Sequence, residues 1–507
     1  MTSSFKKSIP TSFKNNLNRA STLFQQGLAL HQQGQIQKAT ALYQQVLHIH
    51  PHHFDAHNNL CCALYQQKHL DEALEGINRL ISLHPESAEA FHNRGAILHD
   101  LKRYTEAVES YDHAIALNPN HAKAYSNRCY SLFELERFEE AVQSGLQAIT
   151  LAPHSVEAHF NLGVVYHALE AYELSQAHYL QSLKLNPDSA KAHWNLSLQL
   201  LLLGIFDGGW EEYEWRWKNE ELELYGTLRH FNQPLWLGHE PLAGKTILLH
   251  AEQGFGDTLQ FCRYAILVAH MGARVILEVQ DPLRPLLHQL DGIACCISRG
   301  APLPPFDFHC PLMSLPLAFK TTLVTIPAAP RYLSSDSVIL EAWQARLGRS
   351  SKPRIGITWQ GYLKHPNDLK RSIPLQSLLD IIPTDQFQCI SLQKDLLPQD
   401  RKILEEHPEI LHFEESINDF SDTAALCELM DLIITIDTSG AHLAGSLGKL
   451  VWLLLPKIPD WRWMLARTDT PWYPNTALYR QSVRGNWEPV LHRVSVDLMN
   501  HDFVSND

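Results

Sequence analysis

Residues Leu432–Lys449 read LIITIDTSGAHLAGSLGK, and the fold of the C-terminal half follows from them. Leu432 to Ile436 is a short apolar, β-branched run, the composition of a buried parallel strand. It stops at Asp437-Thr438-Ser439-Gly440, after which Ala441, Leu443, Ala444 and Leu447 space a small-residue helix that Gly448 ends. A strand feeding such a helix aims free backbone N–H groups and the positive end of the helix dipole at one spot, which suits a phosphate. Hydroxyls on Thr438 and Ser439 and a ring N–H on His442 add donors there. An ordinary strand-to-helix turn with an N-cap fits the same residues.

The same alternation occurs twice in the C-terminal half. Thr246 to His250 and Arg274 to Val279 read as parallel strands with a helix from Leu259 to His270 between them. The pattern restarts at Ile355 to Trp359. Strands follow at Phe387 to Leu392, Leu432 to Ile436 and Val451 to Leu455, with a helix from Phe420 to Leu429. Strands alternating with helices predict two Rossmann-like domains facing a cleft.

The N-terminal half obeys a different rule. Prolines 51, 85, 119, 153 and 187 are 34 residues apart, the tetratricopeptide period. Alanines 39, 73, 107 and 141, with Ser175 in the fifth repeat, precede each proline by twelve, and Gly27, Cys61, Gly95, Cys129 and Gly163 stand twelve further back. About five helical hairpins are expected from Ala20 to Pro187. A sixth, aromatic-rich one carries Trp210, Tyr213, Trp215 and Trp217 and packs the array onto the next domain. The expected domains are a flexible 1–19, repeats over 20–220, a linker over 221–242, and two α/β domains over 243–345 and 346–507.

Asn59, Asn93, Asn127, Asn161 and Asn195 share one repeat position, with Gln25 in the first repeat. Asparagine is poor in a helix interior, so propensity does not account for five of them. Either duplication copied a hydrogen bond between helices, or the residues face the groove.

Composition narrows the function. The chain has 507 residues, 45% of them hydrophobic, a net charge of −13 and no basic block, which speaks against a nucleic-acid groove. No run of eighteen apolar residues occurs, no secretory signal opens the chain, and nine cysteines form no CxxC pair; these point to a cytoplasmic protein without a membrane span. His48, His50, His52 and His53 are split by Pro51 and read as an inter-repeat turn rather than a ligand set.

The loop Ala251-Glu252-Gln253-Gly254-Phe255-Gly256-Asp257-Thr258 lacks the third glycine of a dinucleotide fingerprint, since Leu259 stands there, and its two carboxylates would repel a pyrophosphate. Gly244-Lys245-Thr246 precedes its strand and is not a P-loop. A carboxylate on a glycine-rich loop at a strand's carboxyl edge fits a general base, with Asp257 first and Glu252 second; Asp257 as a helix cap is the structural alternative. The loop from Gln360 to Ser372 is basic, and Lys364 or Arg371 supplies a cation facing Thr438, Ser439, Gly440 and His442 after Asp437. Gln393, at the end of a strand, is a weaker candidate for contacting the nucleoside of a bound nucleotide. No aspartate pair sits at a strand end to hold a divalent ion, so neither a metal nor a cofactor is expected.

Three segments together, AEQGFGDTLQFCRYA from Ala251, GITWQGYLKHPNDLKRSIPL from Gly356 and DTSGAHLAGSLGKLVWLLLP from Asp437, resemble the heptosyltransferase-like glycosyltransferases of bacteria that carry tetratricopeptide repeats. The resemblance runs from Ala20 to about Leu491 and implies an α-helical repeat superhelix followed by a GT-B fold. It implies a metal-independent enzyme that uses a nucleotide sugar as co-substrate, with Asp257 as base and Lys364 as the preferred cation. This chain has Asp-Thr-Ser where those enzymes have Asp-Thr-Gly. The layout is also similar to protein O-linked N-acetylglucosamine transferases, whose asparagine ladder grips an extended acceptor polypeptide; that implies a protein or peptide acceptor along Asn59 to Asn195. The competing expectation is a non-catalytic repeat scaffold with a degenerate or nucleotide-sugar-sensing domain.

Overall fold

A computed structural model describes residues 11–222, 224, 229–362 and 368–503, without the side chains of 11–15 and 369. The chain forms two compact units, Met1–Ala192 and His193–Asp507.

The first unit is all helical. It holds α1 (Thr11–Gln32), α2 (Ile36–Ile49), α3 (Phe54–Gln66), α4 (Leu70–Leu83), α5 (Ala88–Asp100), α6 (Tyr104–Leu117), α7 (Ala122–Glu134), α8 (Phe138–Leu151), α9 (Val156–Ala168) and α10 (Tyr172–Leu185). Consecutive helices pair into five hairpins that stack in order, as the proline period predicts. Helix α1 begins inside the stretch expected to be flexible, a correction to that expectation.

The repeated alanines are fully buried, and Ser175 takes their place by giving its hydroxyl to the Gly163 carbonyl at 2.8 Å. The small residues opposite accommodate large ones. A Cβ on Gly27, Gly95 or Gly163 would fall 2.9, 2.5 or 2.7 Å from the ring of Tyr43, Tyr111 or Tyr179. In the fourth hairpin the sizes are exchanged, with Cys129 against Gly145. Each hairpin bends through a left-handed residue, Gly34, Lys68, Lys102, Glu136 and Glu170 in turn.

The second unit opens with the end of α11 (Ala190–Leu202) and with α12 (Phe206–Tyr213), so most of the sixth hairpin clusters with the α/β region. Trp210 donates its indole N–H to the Thr321 carbonyl at 2.9 Å and meets Trp461 edge-on, while Trp215 stacks on His193.

Two parallel sheets make up that region. The first contains β1 (Thr246–His250), β2 (Arg274–Val279), β3 (Ile293–Ser298) and β4 (Phe308–Pro311) in the order β3-β2-β1-β4. The second contains β5 (Arg354–Thr358), β6 (Gln388–Ser391), β7 (Leu432–Ile436), β8 (Val451–Leu455) and β9 (Thr476–Arg480) in the order β6-β5-β7-β8-β9. All neighbours are parallel. The connection reverses direction between β1 and β4 in one sheet and between β5 and β7 in the other, the places where such sheets open a crevice at their carboxyl ends.

Every residue of β7 and β8 is buried, because helices cover both faces. Within the expected linker, Leu235 bridges to His309 and extends the first sheet beside β4. Among the described residues no helix is long and apolar enough to cross a membrane.

Candidate functional site

At the β5/β7 crossover the hydroxyls of Thr358 and Thr435 hydrogen-bond to each other beneath the strand ends. The chain leaves β7 at Ile436, stays extended at Thr438 and enters the helix Ser439–Ser446, which stops at Gly448 with φ +74°. In the first turn of that helix the Ala441 N–H donates to the Thr438 carbonyl at 3.1 Å, the N–H groups of Ser439 and Gly440 precede the first intrahelical acceptors, and residues 437–440 are half-exposed. Arg371 reaches this turn, donating to the Asp437 carbonyl at 2.7 Å. Its guanidinium and Asp368 lie over Gly361, where a Cβ would fall 2.5 Å from Asp368 Oδ1. The structure therefore brings Arg371 together with Asp437, Thr438, Ser439 and Gly440. Lys364, the other cation of the same loop, lies outside the described residues.

His442 sits one turn into this helix and is buried. Its ring stacks on Trp463, and Nδ1 is 2.9 Å from the Tyr473 hydroxyl. Burial, helped by Arg462, Arg263 and Arg371, holds it well below the ordinary histidine range, so the ring is neutral at pH 7. Against it packs the first sheet's glycine-rich turn: a Cβ on Gly256 would lie 2.8 Å from His442 Cδ2. The helix Phe255–Phe261 thus meets the helix Ser439–Ser446 near both N-termini.

Asp257 lies at this junction. One carboxylate oxygen accepts from Gly254 N at 2.9 Å, capping the helix, and the other pairs with Arg462. Arg462 also donates to Asp460 at 2.8 Å and to Gln260 Oε1 at 2.7 Å, and lies over the Trp461 ring. Burial pushes the Asp257 carboxyl up, against the pull of Arg462. The Asp437 carboxyl is pushed up to about 6, by loss of solvation first and by the charge of Asp460 second, against the pull of Arg371 and Arg462. Nothing in the sequence pattern assigns Arg462 a role. Its ion pair spans 205 residues and leaves no local signal; only Asp460, two residues before it after a strand end, hints at a held guanidinium.

Glu252 stands at the other crossover, just beyond β1. It accepts from Arg216 at 3.1 Å and from Met313 N at 3.2 Å, and its second oxygen is buried without a partner. Burial pushes it up to about 7 despite Arg216. Gln393 lies two residues past β6; its amide donates to the Asp395 carbonyl at 3.3 Å and its oxygen is buried without a partner.

The asparagine positions have defined partners. Asn93 donates to Asn58 Oδ1 at 2.8 Å, Asn127 Nδ2 is 3.1 Å from His92 Nε2, and Asn161 donates to the Ser126 carbonyl at 3.0 Å. Each partner is 35 residues earlier, so these amide nitrogens tie one repeat to the one before. Asn59 is partly exposed in α3, and Asn195 lies in α11.

Tetratricopeptide repeat models match residues 30–93, 88–121 and 156–189, and a further repeat model matches 129–170. The chain is 25% identical over 332 residues to Protein FlbA of Caulobacter vibrioides, a match over 61% of this chain and 54% of that protein; the chain thus spans about half the relative's length. Among solved structures, it is similar to the tetratricopeptide protein TTC0263 of Thermus thermophilus, with 19% identity, 36% of this chain, 99% of that one and a TM-score of 0.33. It is also similar to the pilF protein of Pseudomonas aeruginosa, with 17% identity, 41% and 94% coverage and a TM-score of 0.35.

Proposed function

We propose that the chain is a glycosyltransferase that moves a sugar from a nucleotide-sugar donor to a protein or peptide held along its repeats, without a metal at the transfer site. The observation that carries this reading is the half-exposed turn at Asp437–Gly440, where a helix N-terminus and the Arg371 guanidinium converge at the β5/β7 crossover. Departing phosphate oxygens need such fixed donors, and a cation near a helix N-terminus provides them. Gln393, with a buried oxygen lacking a partner at the neighbouring strand end, is the residue for a nucleoside N–H. Asp257 and Glu252 are the carboxylates for deprotonating an acceptor hydroxyl, and the α/β region takes the GT-B role.

The tetratricopeptide array supports a protein partner. The amide nitrogens of Asn93, Asn127 and Asn161 already serve the preceding repeat and the Asn93 oxygen lies 3.3 Å from His92 Nδ1, so a bound peptide would compete with these bonds for the ladder.

A non-catalytic scaffold is favoured by one observation, the engagement of both Asp257 oxygens. Incubating the full chain with a panel of nucleotide sugars separates the readings. The transferase reading expects one donor to raise the melting temperature and to release free nucleotide slowly. Stabilisation by a donor without nucleotide release, even with protein acceptors present, supports the sensing scaffold.

A further inference from the structure

The described residues contain one cluster of three metal-ligating side chains whose donor atoms all lie within 4.8 Å of one another: Glu89, His92 and His121. It belongs to the repeats and includes none of the residues assigned to sugar transfer. Glu89 and His92 are three apart on α5 and so share a face. His121 stands just before α7, in the next repeat, and its Nε2 is 3.3 Å from Glu89 Oε2. The rings of His92 and His121 lie with centroids 4.9 Å apart. The His92 ring is fixed from both sides, Nδ1 lying 3.3 Å from Asn93 Oδ1 and Nε2 3.1 Å from Asn127 Nδ2. Since an asparagine amide can present either oxygen or nitrogen, the ring can give one nitrogen to an ion and keep the other held.

We propose that Glu89, His92 and His121 bind a divalent transition metal of the zinc type, with the fourth position open to solvent, pinning the third repeat to the fourth. Two imidazoles and one carboxylate form a donor set that zinc takes in open sites; tetrahedral bonds of ~2 Å set donors about 3.3 Å apart, which His121 and Glu89 already meet, and the remaining donor draws in from within 4.8 Å. The exposed Glu89 supplies the compensating charge and an entry side. His121 also serves the helix that it precedes, because its Nδ1 accepts from Ala124 N at 3.3 Å and caps α7. Coordination through Nε2 leaves the ring proton on Nδ1, so that cap bond is given up when the ion binds.

Other repeats show how to remove the ligand and keep the cap. Ser87 and Ser155, at the matching position, cap α5 and α9 through their hydroxyls. The His121→Ser variant should therefore fold like the parent. In a competition titration of the metal-stripped full chain against a chromophoric zinc chelator, the parent should take up one zinc with a dissociation constant of about 1 µM or tighter and melt at a higher temperature with zinc present. His121→Ser, His92→Gln and Glu89→Gln should each weaken binding by about tenfold or more and lose the zinc-dependent stabilisation. The double variant His50→Ala/His52→Ala should bind like the parent. The proposal is overturned if the parent binds no zinc at micromolar concentrations, if His121→Ser and His92→Gln bind as the parent does, or if the His50/His52 variant is the one that loses the ion.

Discussion

Asp257 has two partners with separate consequences. The bond from Gly254 N makes it part of the helix start, and the Arg462 ion pair favours its ionised form against the burial that opposes it. In the transferase reading an ionised carboxylate at the acceptor hydroxyl is what the reaction needs, and Asp257→Asn keeps the shape while removing the base. Its turnover is expected to fall by about 10² with donor affinity nearly kept, as measured by nucleotide release and by calorimetric titration. An unchanged rate would move the role to Glu252. Glu252 makes its own prediction. Its carboxyl is raised from 4.5 to about 7 by burial, so the folded chain holds a proton there that the unfolded chain has lost. The resulting stabilisation is complete below about pH 4.5 and disappears as pH rises through about 7. Urea unfolding at several pH values should show Glu252→Gln losing less stability than the parent across that interval; parallel curves would contradict the buried, proton-holding state.

At the scale of elements, packing in the repeats is governed by pairs of sizes. A methyl group on Gly95 would meet the Tyr111 ring at 2.5 Å, and both residues are fixed by neighbouring helices. Gly95→Ala should destabilise the first unit by ~1–3 kcal/mol, read from denaturant midpoints. A midpoint unchanged from the parent would mean that α5 and α6 can part without cost. This level of structure is largely legible in the sequence, since a 34-residue period and repeated small residues can be read directly along the chain. The pattern predicts strands β1, β2, β7 and β8 at their observed ends because each is a short apolar run bounded by turn residues. It does not reveal strands β3, β4 and β9: IACCIS, FHCP and TALYR are short, and mix polar or small residues into the pattern. The helix expected from Leu259 to His270 instead starts at Phe255, where Asp257 caps it, and breaks at Cys262. The turn at Asp437 and its partner Arg371 are readable from local chemistry, whereas Arg462 and the Glu89–His92–His121 cluster depend on neighbours that only folding supplies.

For the molecule as a whole, the transferase reading assigns the holding of a partner to the first unit and the chemistry to the second. The repeats offer regularly spaced amides and an array matched by tetratricopeptide models. The α/β unit offers two crossovers, one with a cationic, N–H-rich turn and one with the carboxylate Glu252. The central claim is that a nucleotide sugar binds through its phosphate at Asp437–Gly440. Placing an acid there, as in Ser439→Glu, sets a negative charge where the phosphate should lie and leaves the buried strand β7 untouched. The most direct measurement is calorimetric titration of the nucleoside phosphate, from the donor that stabilises the parent, into the folded Ser439→Glu variant. Loss of detectable binding with an unchanged unbound melting temperature is the expected result, and binding equal to the parent's would contradict the claim.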